Sequence, residues 1–184
     1  MECEKLLSLP TILFLVSILI LILNFFSRNN NFFDVRGVFK QHFAIFLGAP
    51  FQIVVFFITP LLISIGIVLI KTIDKDIINN INIVLSIFIS MFFAMLSILT
   101  GIEKKAGNNS EYNDLLKETF NTIIFENILC LVILVISFVQ LFINDYTVSL
   151  YLKIASFIIY YLIIVVVLNI FVVIKRVKVL FDNR

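Results

Sequence analysis

NNSEYNDLLKETFNTIIFENILCLVILVISFVQLFIN, residues 108–144, decides how this chain folds. The stretch opens in water and closes as hydrocarbon, yet it carries one uninterrupted helical pattern. Asn108 followed by Glu111 has the spacing of a capping box, which starts the helix there. The polar part, 108–119, predicts a helical extension standing in the cytoplasm, and residues 120–143 predict a membrane span. Counting by fours from Asp114 gives Glu118, Thr122 and Glu126, residues that share one helix face, so an acidic stripe runs from the solvated half into the apolar half. Glu126 is the single carboxylate inside this membrane-length apolar run.

The rest of the chain has the same character. Of its 184 residues 61% are hydrophobic, and the mean hydropathy is +1.14. Soluble domains hold roughly 45 to 50% apolar residues. The composition predicts an all-α integral membrane bundle of about five helices in one transmembrane domain. Further spans are expected at about 6–26, 44–70, 81–101 and 154–174, each near the ~20 residues that cross a bilayer core. The first lacks the basic start and small-residue cleavage site of a signal peptide and reads as a retained span.

Several features within these spans bear on function. Pro60 is central in the second span, where it removes a backbone hydrogen bond and predicts a kink or hinge. On the third span Ser86, Ser90 and Ala94 fall at four-residue steps, and Ser97 and Gly101 repeat the spacing one turn round. A strip of small side chains lets helix backbones approach closely, which favours association in lipid. Between the first two spans, Phe32, Val35, Phe39, Phe43 and Phe46 recur at helical spacing with Arg36, Lys40 and Gln41 on another face. That pattern fits a short helix in the headgroup plane as well as it fits a loop with scattered phenylalanines. His42, the single histidine, has no carboxylate or cysteine at ligand spacing and reads as a surface residue.

Lysine and arginine set the orientation. Arg28, Arg36, Lys40, Lys104, Lys105, Lys117, Lys175, Arg176, Lys178 and Arg184 fall on one side of five spans, against Lys5, Lys71, Lys75 and Lys153 on the other. The positive-inside bias places the N-terminus outside and the C-terminus in the cytoplasm. The abundance of Ile, Asn, Lys and Phe follows AT-rich coding, which points to a bacterium and its inner membrane.

Chemistry is sparse. There is no phosphate-binding loop, dinucleotide fingerprint, HExxH or nucleophile elbow, so the sequence does not read as an enzyme and implies no cofactor. Cys3 and Cys130 have neither disulfide nor metal spacing. A net charge of +2 scattered among apolar runs is not a nucleic-acid surface. What remains is a candidate intramembrane polar site at Glu126 and Asn127. It reads either as an ion or proton ligand facing a bundle interior or as a side chain that reaches the interface or bonds a neighbouring helix. Ser17, Asn24, Gln52, Thr59, Gln140 and Asn169 offer other polar contacts between helices.

The stretches PFQIVVFFITPLLISIG (50–66), LSIFISMFFAML (85–96) and LLKETFNTIIFENIL (115–129), in this order, resemble small polytopic membrane proteins of bacterial phage-defence loci. The first span is additional to that pattern. The resemblance implies a membrane sensor or effector that oligomerises and changes permeability, paired with a soluble partner; it assigns no residue a role. Two expectations follow: a homo-oligomer that forms or gates a pore, or a non-catalytic anchor that presents its cytoplasmic loop and tail to a soluble protein.

Overall fold

The computed structural model describes residues 12, 13, 16, 17, 19, 20, 23, 35–46, 50–103, 110–143 and 149–182. Their elements are α1 (Arg36–Phe46), α2 (Pro50–Ile53), a π turn (Val54–Ile58), α3 (Thr59–Ile70), α4 (Lys75–Glu103), α5 (Ser110–Ile143) and α6 (Ser149–Asp182). No strand occurs among the described residues. Four helical runs are long and apolar enough to cross a membrane: Phe51–Ile70, Lys75–Gly101, Glu111–Phe142 and Leu150–Asp182. The expected first span, 6–26, lies mostly outside the described residues; the isolated positions described between Ile12 and Leu23 are helical.

α5 is the centre of the bundle. It packs against α4 on one side, α6 on another and α1 near its N-terminal half, while α3 packs on α6. The contacts follow a seven-residue repeat. On α4 the buried side chains are Ile78, Leu85, Phe92 and Leu99; on α6 they are Ile159, Val166, Val173 and Leu180. α5 buries a double row, Leu116, Ile123, Cys130 and Ser137 beside Thr119, Glu126, Ile133 and Gln140. A repeat of 3.5 residues is the packing of left-handed helix pairs, common to coiled coils and membrane bundles.

Helix ends differ from the hydropathy boundaries for identifiable reasons. α4 begins at Lys75 rather than Ile81, because Asp74 caps it: the Ile77 N–H donates to Asp74 Oδ1 at 2.8 Å. Capping can start a helix well before the chain becomes apolar. Lys71 Nζ lies 3.0 Å from Asp74 Oδ2. The Ile77 N–H and Lys71 together hold the Asp74 carboxyl below its ordinary range. Residues 44–46 belong to α1 and the second span is described from Pro50 onward, with 47–49 outside the described residues. α6 overruns its expected 154–174 at both ends, and the first residue described in α5 is Ser110, with Asn108 outside the described residues.

Pro60 is accommodated by a change of helix type. In an α-helix its ring would clash with the carbonyl four residues back. Here the preceding residues form a π turn, with the Thr59 N–H bonded to the Val54 carbonyl and Thr59 Oγ1 3.5 Å from that same oxygen. The wider turn gives the ring room, and Pro60 is buried.

Contacts sort the bundle into two ends. At one, the Ile73 N–H donates to Ser156 Oγ at 2.9 Å, tying the α3–α4 connection to the start of α6. At the other, α1 lies beside the N-terminal half of α5 and the C-terminal part of α6 reaches Glu118.

Candidate functional site

A polar seam runs between α5 and α6. The two helices are antiparallel, so residues two turns apart on α5 meet residues two turns apart on α6 in reverse order. Arg176 meets the α5 turn of Glu118 and Thr122; Asn169 meets Glu126. Arg176 Nη1 donates to Thr122 Oγ1 at 3.2 Å and lies 3.6 Å from Glu118 Oε2. Thr122 Oγ1 in turn donates to the Glu118 carbonyl at 2.8 Å. Deeper along the seam, Asn169 Nδ2 donates to Glu126 Oε1 at 2.6 Å.

The stripe of carboxylates therefore divides. Asp114 and Glu118 are exposed, whereas Thr122 and Glu126 are buried, Glu126 completely. Burial settles the position of Glu126. The side chain does not snorkel to the interface but is enclosed between helices with an amide as its partner. Its second oxygen, Oε2, has no hydrogen-bond partner among the described residues, and the same holds for Asn169 Oδ1 and Asn127 Oδ1. Asn127 is buried next to Glu126 in sequence, but no hydrogen bond joins it to the seam. A carboxyl in such surroundings is costly as an ion unless paired, so it marks a place that holds a proton, a cation or a hydrogen-bond partner.

α1 closes the flank of this site, and here the surface reading of His42 is corrected. The imidazole is buried and stacks on Phe125 with ring centroids 3.8 Å apart and planes at 13°. Phe39 meets the same ring edge-on at 5.0 Å, and Phe43 reaches Phe57 of the π turn at 5.8 Å. Asn121 of α5 donates its side-chain amide to Gln41. α1 thus packs on α5 through Phe39 and His42, with the part-exposed Phe43 at the edge of the contact. Burial, and secondarily the Arg176 charge, lower the His42 pKa to about 4.

The small-residue strip is elsewhere. Ser86, Ser90, Ala94, Ser97 and Gly101 are all exposed, so none lies in the core formed by the described helices. Ser86 Oγ donates to the Asn82 carbonyl at 2.8 Å and Ser90 Oγ to the Ser86 carbonyl at 2.9 Å, each within its own helix. α4 meets α5 through its large apolar row and through Asn82, whose Oδ1 accepts from Ser137 Oγ at 2.5 Å.

Sequence reasoning picked out Glu126 and saw Asn169 as a polar contact, but did not pair them, and took Arg176 for a flanking charge. The seven-residue repeat through Glu126 on α5 and Asn169 and Arg176 on α6 is the signal that joins them. Comparison with known proteins finds no matching family model, no matching characterised protein and no matching solved structure.

Proposed function

We propose that this chain is a five-span protein of the bacterial inner membrane, N-terminus outside and C-terminus cytoplasmic, that oligomerises and forms or gates a pore. In this reading it acts as a membrane sensor or effector of anti-phage defence. The observation that carries it is the outer face of α4. A strip of small residues at the spacing that lets helices approach faces away from the chain's own core, with the Ser86 and Ser90 hydroxyls satisfied by carbonyls of their own helix. A single copy packs its polar seam shut, so a conducting path would lie between copies. The orientation is supported by the two ends of the bundle. Arg36, Lys40, Lys117 and Arg176 belong to the α1 end, while Lys71, Lys75 and Lys153 belong to the end where Ile73 meets Ser156.

A second reading is favoured by the length of α5 and α6. Each has 34 residues, about 51 Å at 1.5 Å per residue, against a hydrocarbon core of about 30 Å. The overhang of α5 exposes Glu111, Asp114, Lys117 and Glu118, a charged stalk suited to a soluble cytoplasmic partner.

Ion flux in liposomes carrying the purified protein separates the two. The pore reading expects flux that falls in Ser90→Leu, whose branched side chain blocks close approach. Absence of flux from the wild-type protein leaves the anchor. Impermeant thiol labelling of single cysteines in whole cells tests the orientation: Asn79→Cys should be modified and Asn109→Cys protected.

A further inference from the structure

Three features lie outside the pore reading: the apolar groove between α4 and α6, the His42 stack, and the pair Glu126–Asn169. The last has hydrogen-bonding capacity left unfilled among the described residues. Glu126 and Asn169 are both buried and share one 2.6 Å hydrogen bond, from Asn169 Nδ2 to Glu126 Oε1. Each then has one oxygen left over, Glu126 Oε2 and Asn169 Oδ1, and neither has a partner among the described residues. Both are acceptors, and they belong to the same bonded pair. One hydrogen between them would satisfy both.

We propose that Glu126 and Asn169 form an intramembrane proton-binding site in which a proton carried on Glu126 Oε2 is donated to Asn169 Oδ1. The result is a closed acid–amide pair with two parallel hydrogen bonds. Loading forms one O–H bond with a proton taken from water, and unloading returns it; nothing is oxidised or reduced. The neutral pair clamps α5 to α6. Loss of the proton leaves a carboxylate with a single amide donor in an apolar interior, which unfastens the seam unless a cation arrives.

The surroundings favour a proton over a metal. No group of three or more His, Cys, Asp or Glu side chains gathers at one place among the described residues. Among the described residues, the titratable groups facing this stretch are few. On α5 they are Glu118 and the buried Cys130; on α6, Arg176, already held by Thr122 and Glu118; on α1, His42, stacked on Phe125. α4 between residues 77 and 102 has none, and neither has α3. Arg176 is the one of these able to answer a bare charge at Glu126, and it would have to leave Glu118 to do so.

Such a site would hold its proton whether or not the protein conducts. Infrared spectra of the purified protein in lipid at neutral pH test it. The native-minus-Glu126→Gln difference should contain the carbonyl stretch of a protonated carboxylic acid, and Asn169→Leu should move that band to the frequency of an acid that has lost a hydrogen bond. Carboxylate stretches in the difference spectrum instead, or an acid band that gives way to carboxylate when sodium is added, overturn the proposal. If Glu126→Gln does not accumulate, glutamate carrying carbon-13 identifies the acid band in the native protein. An acid band then unmoved by Asn169→Leu overturns it equally.

Discussion

The α5–α6 seam and the outer face of α4 set the same problem, a polar group among hydrocarbon, and meet it in opposite ways. On α4 the hydroxyls of Ser86, Ser90 and Thr100 bond carbonyls of their own helix, at 2.8, 2.9 and 2.8 Å. A hydroxyl satisfied within its own turn can face outward at little cost. A carboxyl or a primary amide has more donors and acceptors than its own helix can serve, so Glu126 and Asn169 must find each other across an interface. Half of the apolar run of α5 is buried, against 17% of that of α4. The helix with the more demanding polar groups is the one wrapped by neighbours.

The two faces of α4 differ most sharply at two adjacent phenylalanines. Phe92 is fully buried in the α4 row facing α5, and Phe93 is 57% exposed on the outer side. Phe92→Ala should cost on the order of 3 kcal/mol through the cavity it leaves, read as easier unfolding by SDS in mixed micelles. Phe93→Ala should leave unfolding unchanged. Equal effects at both would mean that the two faces are not distinguished as described.

Next comes α1, which brings a titratable ring to the flank of the seam. His42 is depressed to about 4 from an ordinary value of 6.5, so the docked helix prefers the neutral ring and the undocked chain takes up the proton first. Docking is therefore intact above pH 6.5 and weakens as pH falls toward 4, by on the order of 3 kcal/mol in all. Hydrogen exchange of the α1 amides at pH 5 should be faster in the native protein than in His42→Phe, which keeps the stack without the charge. Equal rates would show that the ring does not control docking.

Asn169→Leu is expected to follow, with a loss of about 1–3 kcal/mol for stranding a buried polar group. The contrasting change on the outer face, Ser86→Ala, removes a hydroxyl that serves only its own helix and should be silent in the same assay. If Asn169→Leu is silent too, the carboxyl has found another partner.

How far this was legible in the sequence depends on which property is asked for. The four long helices followed from hydropathy, because a 20-residue apolar run has few other fates. Their ends did not, since Asp74 starts α4 by a hydrogen bond and not by composition. Glu126 stood out as an isolated carboxylate, but its burial did not follow from counting by fours. With 3.6 residues per turn each step of four advances roughly 40° around the helix. Three steps carry the stripe from the exposed Asp114 to the enclosed Glu126. The small residues of α4 were picked out by four-residue steps, whereas burial follows the row starting at Ile78, which seven-residue spacing would have shown. His42 was hidden because an amphipathic pattern does not say whether lipid or protein covers the apolar side.

The smallest expected effect probes the border between the two regions. Asn82 lies on α4 one turn before Ser86, accepts from Ser137 Oγ across the α4–α5 contact, and gives its own carbonyl to Ser86 Oγ. It therefore belongs to both regimes, bonded between helices through its side chain and within its helix through its backbone. Interhelical hydrogen bonds in membranes average about 0.6 kcal/mol, because the unfolded helices also find partners. A double-mutant cycle of Asn82→Ala and Ser137→Ala should return a coupling of about that size, and a cycle of Asn82→Ala with Ser86→Ala should return none, since the Asn82 carbonyl survives the substitution. A coupling well above 1 kcal/mol at Asn82–Ser137 would place this contact with the Glu126 seam. No coupling would place it with the outer face, leaving α4 held to α5 by its apolar row alone.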